Sequence, residues 1–157
     1  MVDINLLVHT TNGVVRGRSS SVQTRIVREF LGIPYAKPPL DTLRFERPHA
    51  MTNWKGVRTA HDYGSPCVQF IPGQILTPWI SNRTGSEDCL YLNIWTPTKK
   101  VDHNALLTVM VWFHGGAFFS GSADLELYKG EQLAASGDVV VVSINYRLVS
   151  YITVRLR

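Results

Sequence analysis

Apolar residues fall along this chain in short unbroken blocks, a pattern of strands more than of amphipathic helices. Val109 to Phe113 (VMVWF) and Val139 to Ile144 (VVVVSI) are apolar on successive positions. Such runs predict strands covered on both faces, because a parallel sheet between helix layers shows neither face to water. Leu90 to Trp95 (LYLNIW) predicts another strand, ending at Pro97. Between the two apolar runs, Leu125 to Ser136 carries Leu125, Tyr128, Gln132, Leu133 and Ala135, which fits a short helix or two turns stopped by Gly137. Strand, glycine loop, helix and strand make one βαβ unit. The strand over Val139 to Ile144 is expected to leave an unpaired apolar edge on its far side.

The N-terminal third reads differently. Leu6 to Thr10 and Val14 to Arg18 flank Asn12-Gly13, the pair that best tolerates a type I′ turn, and predict a hairpin. A further strand covers Ile26 to Phe30 and ends at Gly32, since Ile33-Pro34-Tyr35 and Lys37-Pro38-Pro39 oppose regular structure. From Arg44 to Gln69 little periodicity remains; Phe45, Trp54, Val57 and Tyr63 are spaced like residues of a loop packing down on a core. Cys67 and Cys89 frame a stretch containing Pro72, Gly73, Pro78, Asn82 and Gly85, which reads as a surface loop. The two cysteines are either bonded across it or are two buried thiols. Asn82-Arg83-Thr84 inside the loop is an N-glycosylation sequon.

Candidate chemistry gathers where the Val109 to Phe113 run ends. His114, Gly115, Gly116 and Ala117 follow at once, a backbone that can turn sharply and leave its N–H groups uncovered. Donation of backbone hydrogen bonds to a developing oxyanion is usually the largest single term in acyl transfer. His-Gly-Gly after a hydrophobic strand is the loop form of lipases and esterases with the α/β-hydrolase fold, and it also fits a plain tight turn in any α/β protein.

Composition narrows the classes. With 157 residues and 45% hydrophobic content, the chain can bury one globular core. No stretch approaches the ~18 consecutive apolar residues of a membrane-spanning helix. The net charge of +4 is spread over scattered Lys and Arg, not the basic cluster of a nucleic-acid surface. Neither cysteine sits in a Cys-x-x-Cys or histidine-rich context, which argues against zinc or thioredoxin-type chemistry. Met1 to Val8 has Asp3 and no basic start, long apolar stretch or cleavage site, so no secretory leader can be read there.

Phe30 to Ala36 (FLGIPYA), Arg44-Phe45, Ser86 to Trp95 (SEDCLYLNIW), the His-Gly-Gly loop and Asn145-Tyr146-Arg147 together resemble the N-terminal part of the type-B carboxylesterase and cholinesterase family, over roughly Leu6 to Leu148. The resemblance implies an α/β fold: the N-terminal part of an α/β-hydrolase, with an N-terminal β-hairpin, a mixed sheet and one βαβ unit, spanning 1–148 and cut before the nucleophile elbow. It also implies roles. Gly116 and Ala117 match the loop donors of the oxyanion hole, with Gly115 shaping the turn. Cys67 and Cys89 match a disulfide that pins a loop, and Arg44 and Glu87 match a structural ion pair. Trp79, ten residues before Cys89, matches the tryptophan that stacks on a choline cation; an aromatic packed under a loop is the alternative. Small carboxylic esters are the implied substrates, no cofactor or metal is implied, and the disulfide with the Asn82 sequon points to secretion.

The departures are as informative. In this fold the nucleophile sits in Gly-x-Ser-x-Gly, and that pattern occurs nowhere in the chain. His9, His49, His61 and His103 have no triad context, and residues 149–157 diverge from the family as a C-terminal tail. The expected reading is an ester hydrolase's N-terminal portion without its catalytic Ser, acid and His, inactive alone. A non-catalytic, neuroligin-type adhesion protein of the same family is the alternative.

Overall fold

A computed structural model of the chain describes residues 6–69, 81–98 and 106–148. Trp79, most of the polar connection after Thr98, and the tail over 149–157 lie outside the described residues. A three-stranded sheet opens the chain: β1 (Leu7–Thr10) runs antiparallel to β2 (Gly13–Arg16), and β2 runs parallel to β5 (Val57–Thr59). Thr10 pairs with Gly13, so the hairpin loop is Thr11-Asn12, one residue earlier than the sequence predicts. Neither loop residue has positive φ, which excludes the type I′ turn. The Thr10 hydroxyl sets the turn instead, accepting from the Asn12 and Gly13 amides, both at 3.2 Å. Gly13 serves packing: a Cβ there would lie 2.6 Å from the indole nitrogen of Trp54, which donates to the Val14 carbonyl at 3.0 Å.

The larger sheet has the order β3-β4-β6-β8-β7, with β3 at Arg18–Val22, β4 at Arg25–Pro34, β6 at Tyr91–Pro97, β7 at Val109–Phe113 and β8 at Val140–Ile144. Only β7 and β8 pair in parallel; the other neighbours are antiparallel. β4 does not end at Gly32, contrary to the sequence expectation. Its register shifts between Phe30 and Ile33, and the strand then resumes with Ile33 opposite Leu92 and Pro34 opposite Tyr91. The bulge absorbs the irregularity, and proline is tolerated at a strand end. At the bulge Gly32 has φ of 66°, and a Cβ would lie 2.4 Å from the Asp62 carbonyl oxygen.

The main core lies between the sheet and α1 (Glu131–Gly137), where Val22, Val27, Leu31, Trp95, Ala134, Ala135 and Val141 pack together. Each large side chain fully buried here contributes roughly 1.5–3 kcal/mol. A 3₁₀ turn at Glu126–Tyr128 precedes α1. The helix ends one residue beyond the sequence expectation, with Asp138 rather than Gly137 in the left-handed conformation. Arg25 secures that end by donating to the Ala135 carbonyl at 2.8 Å and to Asp138 at 3.1 Å.

The Val109 to Phe113 run departs most from expectation. All five residues are exposed, from 45% for Met110 to 63% for Phe113. Among the described residues β7 is the outer strand, paired with β8 alone, and α1 packs on β3, β4, β6 and β8, which leaves the faces of β7 largely uncovered. β8, expected to carry the unpaired edge, is interior, held by β6 on one side and β7 on the other.

Candidate functional site

The glycine loop leaves the end of β7 and returns to the body of the fold at Ser122. Gly116, Ala117 and Phe118 all have positive φ, at 120°, 52° and 64°. Left-handed backbone costs a non-glycine residue about 1–2 kcal/mol, and such strain clusters where a site requires it. The Gly116 carbonyl accepts from the amides of Phe119 at 2.9 Å and Ser120 at 3.1 Å, so the loop curls on itself. Of the two glycines, Gly116 is the one whose position excludes a side chain. A Cβ on Gly116 would lie 1.9 Å from the Ser120 carbonyl oxygen, whereas one on Gly115 would meet nothing within 4 Å. Residues 115–119 are exposed, and among the described residues the amides of Gly116 and Ala117 donate to no partner. Two adjacent free N–H groups on a turned backbone can receive an anion or a polarised carbonyl oxygen.

Buried polar side chains fix both ends of this loop. His114 is 3% exposed and lies flat on Tyr146, whose hydroxyl donates to the His114 carbonyl. Its Nδ1 lies 2.9 Å from the Gly115 carbonyl; because a carbonyl only accepts, Nδ1 carries the proton. Burial holds the imidazole below its ordinary pKa. Beyond the loop, the Asn145 carboxamide oxygen accepts from the Ala123 amide at 2.7 Å and the Ser122 hydroxyl at 3.2 Å. Asn93 donates to the Ala123 carbonyl at 3.3 Å and to Ser143 at 3.1 Å, and accepts from the Gly32 amide at 3.0 Å. Sequence reasoning gave Asn93 and Asn145 no role. The signal was there: an amide side chain inside an apolar strand block must find partners if it is buried.

The other candidates form a second cluster below the loop. Cys67 and Cys89 are disulfide-bonded, with 4.9 Å between their Cα atoms. Arg44 grips Glu87 with two guanidinium nitrogens on two carboxylate oxygens, Nε donating to Oε2 at 2.7 Å. Arg44, Glu87, Cys67 and Cys89 line one small cavity together with Arg147. Asn82 is exposed, and the adjacent Arg83 is anchored on Asp124 at 3.2 Å and on the carbonyls of Gly64 and Tyr63. No helix among the described residues is long and apolar enough to cross a membrane.

A mixed sheet, a helix between two parallel strands and a strained loop with open amides define a partial α/β-type fold. Residues 5–151 match the model of the carboxylesterase family, and the chain belongs to that family. It is 47% identical to an acetylcholinesterase of Electrophorus electricus over 155 residues, which is 95% of this chain and 24% of that protein. It is 41% identical to an acetylcholinesterase of Leptinotarsa decemlineata over 93% of this chain and 25% of the relative. With a cholinesterase of Mus musculus the identity is 45%, over 92% of this chain and 24% of the relative. The chain therefore spans about a quarter of the length of the relatives it matches.

Proposed function

We propose that these residues form the oxyanion half of a carboxylic ester hydrolase of the cholinesterase kind. In this reading the Gly116 and Ala117 amides receive the substrate carbonyl oxygen as it becomes an oxyanion. The observation that carries the reading is the pair of unpartnered, exposed amides on a backbone held at positive φ. The relatives' names point to choline esters as the substrate class. Trp79 supplies the cation-stacking face for such a substrate. The Cys67–Cys89 bond belongs to an oxidising compartment, so the protein is secreted or faces the outside of the cell, with Asn82 available for glycosylation.

The 157 residues contain no Gly-x-Ser-x-Gly, so the nucleophile and its partners come from outside them and the chain as written is inactive alone. A chimera tests the reading: residues 1–148 of this chain followed by the remaining part of the eel acetylcholinesterase. It should hydrolyse acetylthiocholine. Replacing the Ala117 amide by an ester, which removes one N–H and keeps the backbone shape, should lower kcat about 10²–10³-fold. A folded chimera without turnover, or turnover indifferent to that replacement, would reject the assignment and favour the adhesion alternative.

A further inference from the structure

The glycine loop is anchored at both ends, and the anchor on its last residue, Gly121, is a side chain to which the sequence assigns no role. At its start Tyr146 holds the His114 carbonyl. At its end the Gln69 carboxamide takes both backbone groups of Gly121: Oε1 accepts from the Gly121 amide at 2.9 Å, and Nε2 donates to the Gly121 carbonyl at 3.3 Å. The same Nε2 donates to the Cys67 carbonyl at 3.3 Å. Among the described residues, Gly121's backbone bonds to no other group. Residue 121 cannot anchor itself, because a Cβ there would lie 2.4 Å from His114 Nδ1. A neighbouring side chain must therefore do so, and a carboxamide is complementary to a peptide group in both donor and acceptor.

We infer that Gln69 is a positioning residue for the glycine loop, setting the end from which the free Gly116 and Ala117 amides are presented, and that it ties this end to the backbone of disulfide-bonded Cys67. Between His114 and Gly121 the remaining backbone bonds run from Phe119 and Ser120 to Gly116. Those bonds set the curl of the loop but not its placement on the protein. Placement comes from the two ends, so release of Gly121 moves the far hold back to Ser122 and Ala123 on Asn145 and loosens the curl between there and His114. The functional consequence rests on the oxyanion reading; the geometry does not.

Amide hydrogen–deuterium exchange on the whole chain, read by mass spectrometry over 114–123 and over β8, tests the inference without ester chemistry. Failure here is thus distinguishable from failure of the chimera. Gln69→Met keeps the side-chain length and removes all three bonds, the two to Gly121 and the one to Cys67. It should accelerate exchange of the Gly121 amide about five- to tenfold and leave β8 unchanged. Gln69→Glu keeps an acceptor for the Gly121 N–H and should give a smaller acceleration than Gln69→Met. Unchanged exchange at Gly121, an equal acceleration in β8, or equal effects of the two variants would each overturn the inference.

Discussion

The imidazole of His114 stacks on the ring of Tyr146, with 4.3 Å between ring centroids and 14° between the planes. Burial dominates the titration of this histidine and lowers its pKa from the ordinary 6.5, against the raising effects of the Gly115 carbonyl and Asp124. The folded protein thus disfavours the protonated form relative to the unfolded chain. This contribution to stability is fully present above about pH 6.5 and is lost as pH falls from there through the folded pKa. His114→Phe keeps the stack and removes the titration. Urea midpoints measured at pH 7 and pH 5 should fall more for the natural chain than for this variant; equal losses would contradict the prediction.

Arg44 and Glu87 meet through a two-pronged contact in which the Arg44 side chain is half exposed and that of Glu87 is 14% exposed. Arg44→Ala strands a largely buried carboxylate, and the expected loss is about 1–2 kcal/mol, moderated by the solvent reaching the arginine. Arg44→Lys keeps the charge but not the fork, and should recover only part of it. Chemical denaturation of the three proteins checks the ranking.

The Cys67–Cys89 bond joins residues 22 apart in sequence. On the chain-entropy account, closing such a loop contributes about 3 kcal/mol. Replacing both cysteines by alanine should lower the unfolding free energy by about that amount. Because Gln69 bonds to the Cys67 carbonyl, the same change should also speed amide exchange at Gly121. Exchange that stays unchanged while stability falls would separate the disulfide from the loop.

β7 is an outer strand with five exposed apolar residues and no charge, a template for pairing with other chains. Phe118 and Phe119 extend the exposed apolar surface from the adjoining loop. The isolated chain should therefore self-associate. Val111→Lys, at a residue already 49% exposed, should raise the monomer fraction in sedimentation velocity without lowering thermal stability by more than about 0.5 kcal/mol. A monodisperse monomer of the unmodified chain would overturn this expectation.

Local physics made much of the fold legible. The apolar blocks over 90–95, 109–113 and 139–144 marked strands, because an unbroken run of β-branched and aromatic side chains suits a pleated surface and little else. Glycines after such a block marked the loop, because positive φ is open to few other residues. What the sequence could not carry was the neighbourhood. An apolar run is the same whether its strand lies inside a sheet or at its edge, so the exposure of β7 and the enclosure of β8 were decided only when β6 took the far side of β8. Likewise nothing local distinguishes Gly115 from Gly116; the Ser120 carbonyl, reached only when the loop closes, makes one indispensable and leaves the other free. Composition and motif determined the candidate donors. Contacts between residues far apart in the chain, Gln69 with Gly121 and Asn145 with Ala123, decided where those donors are held.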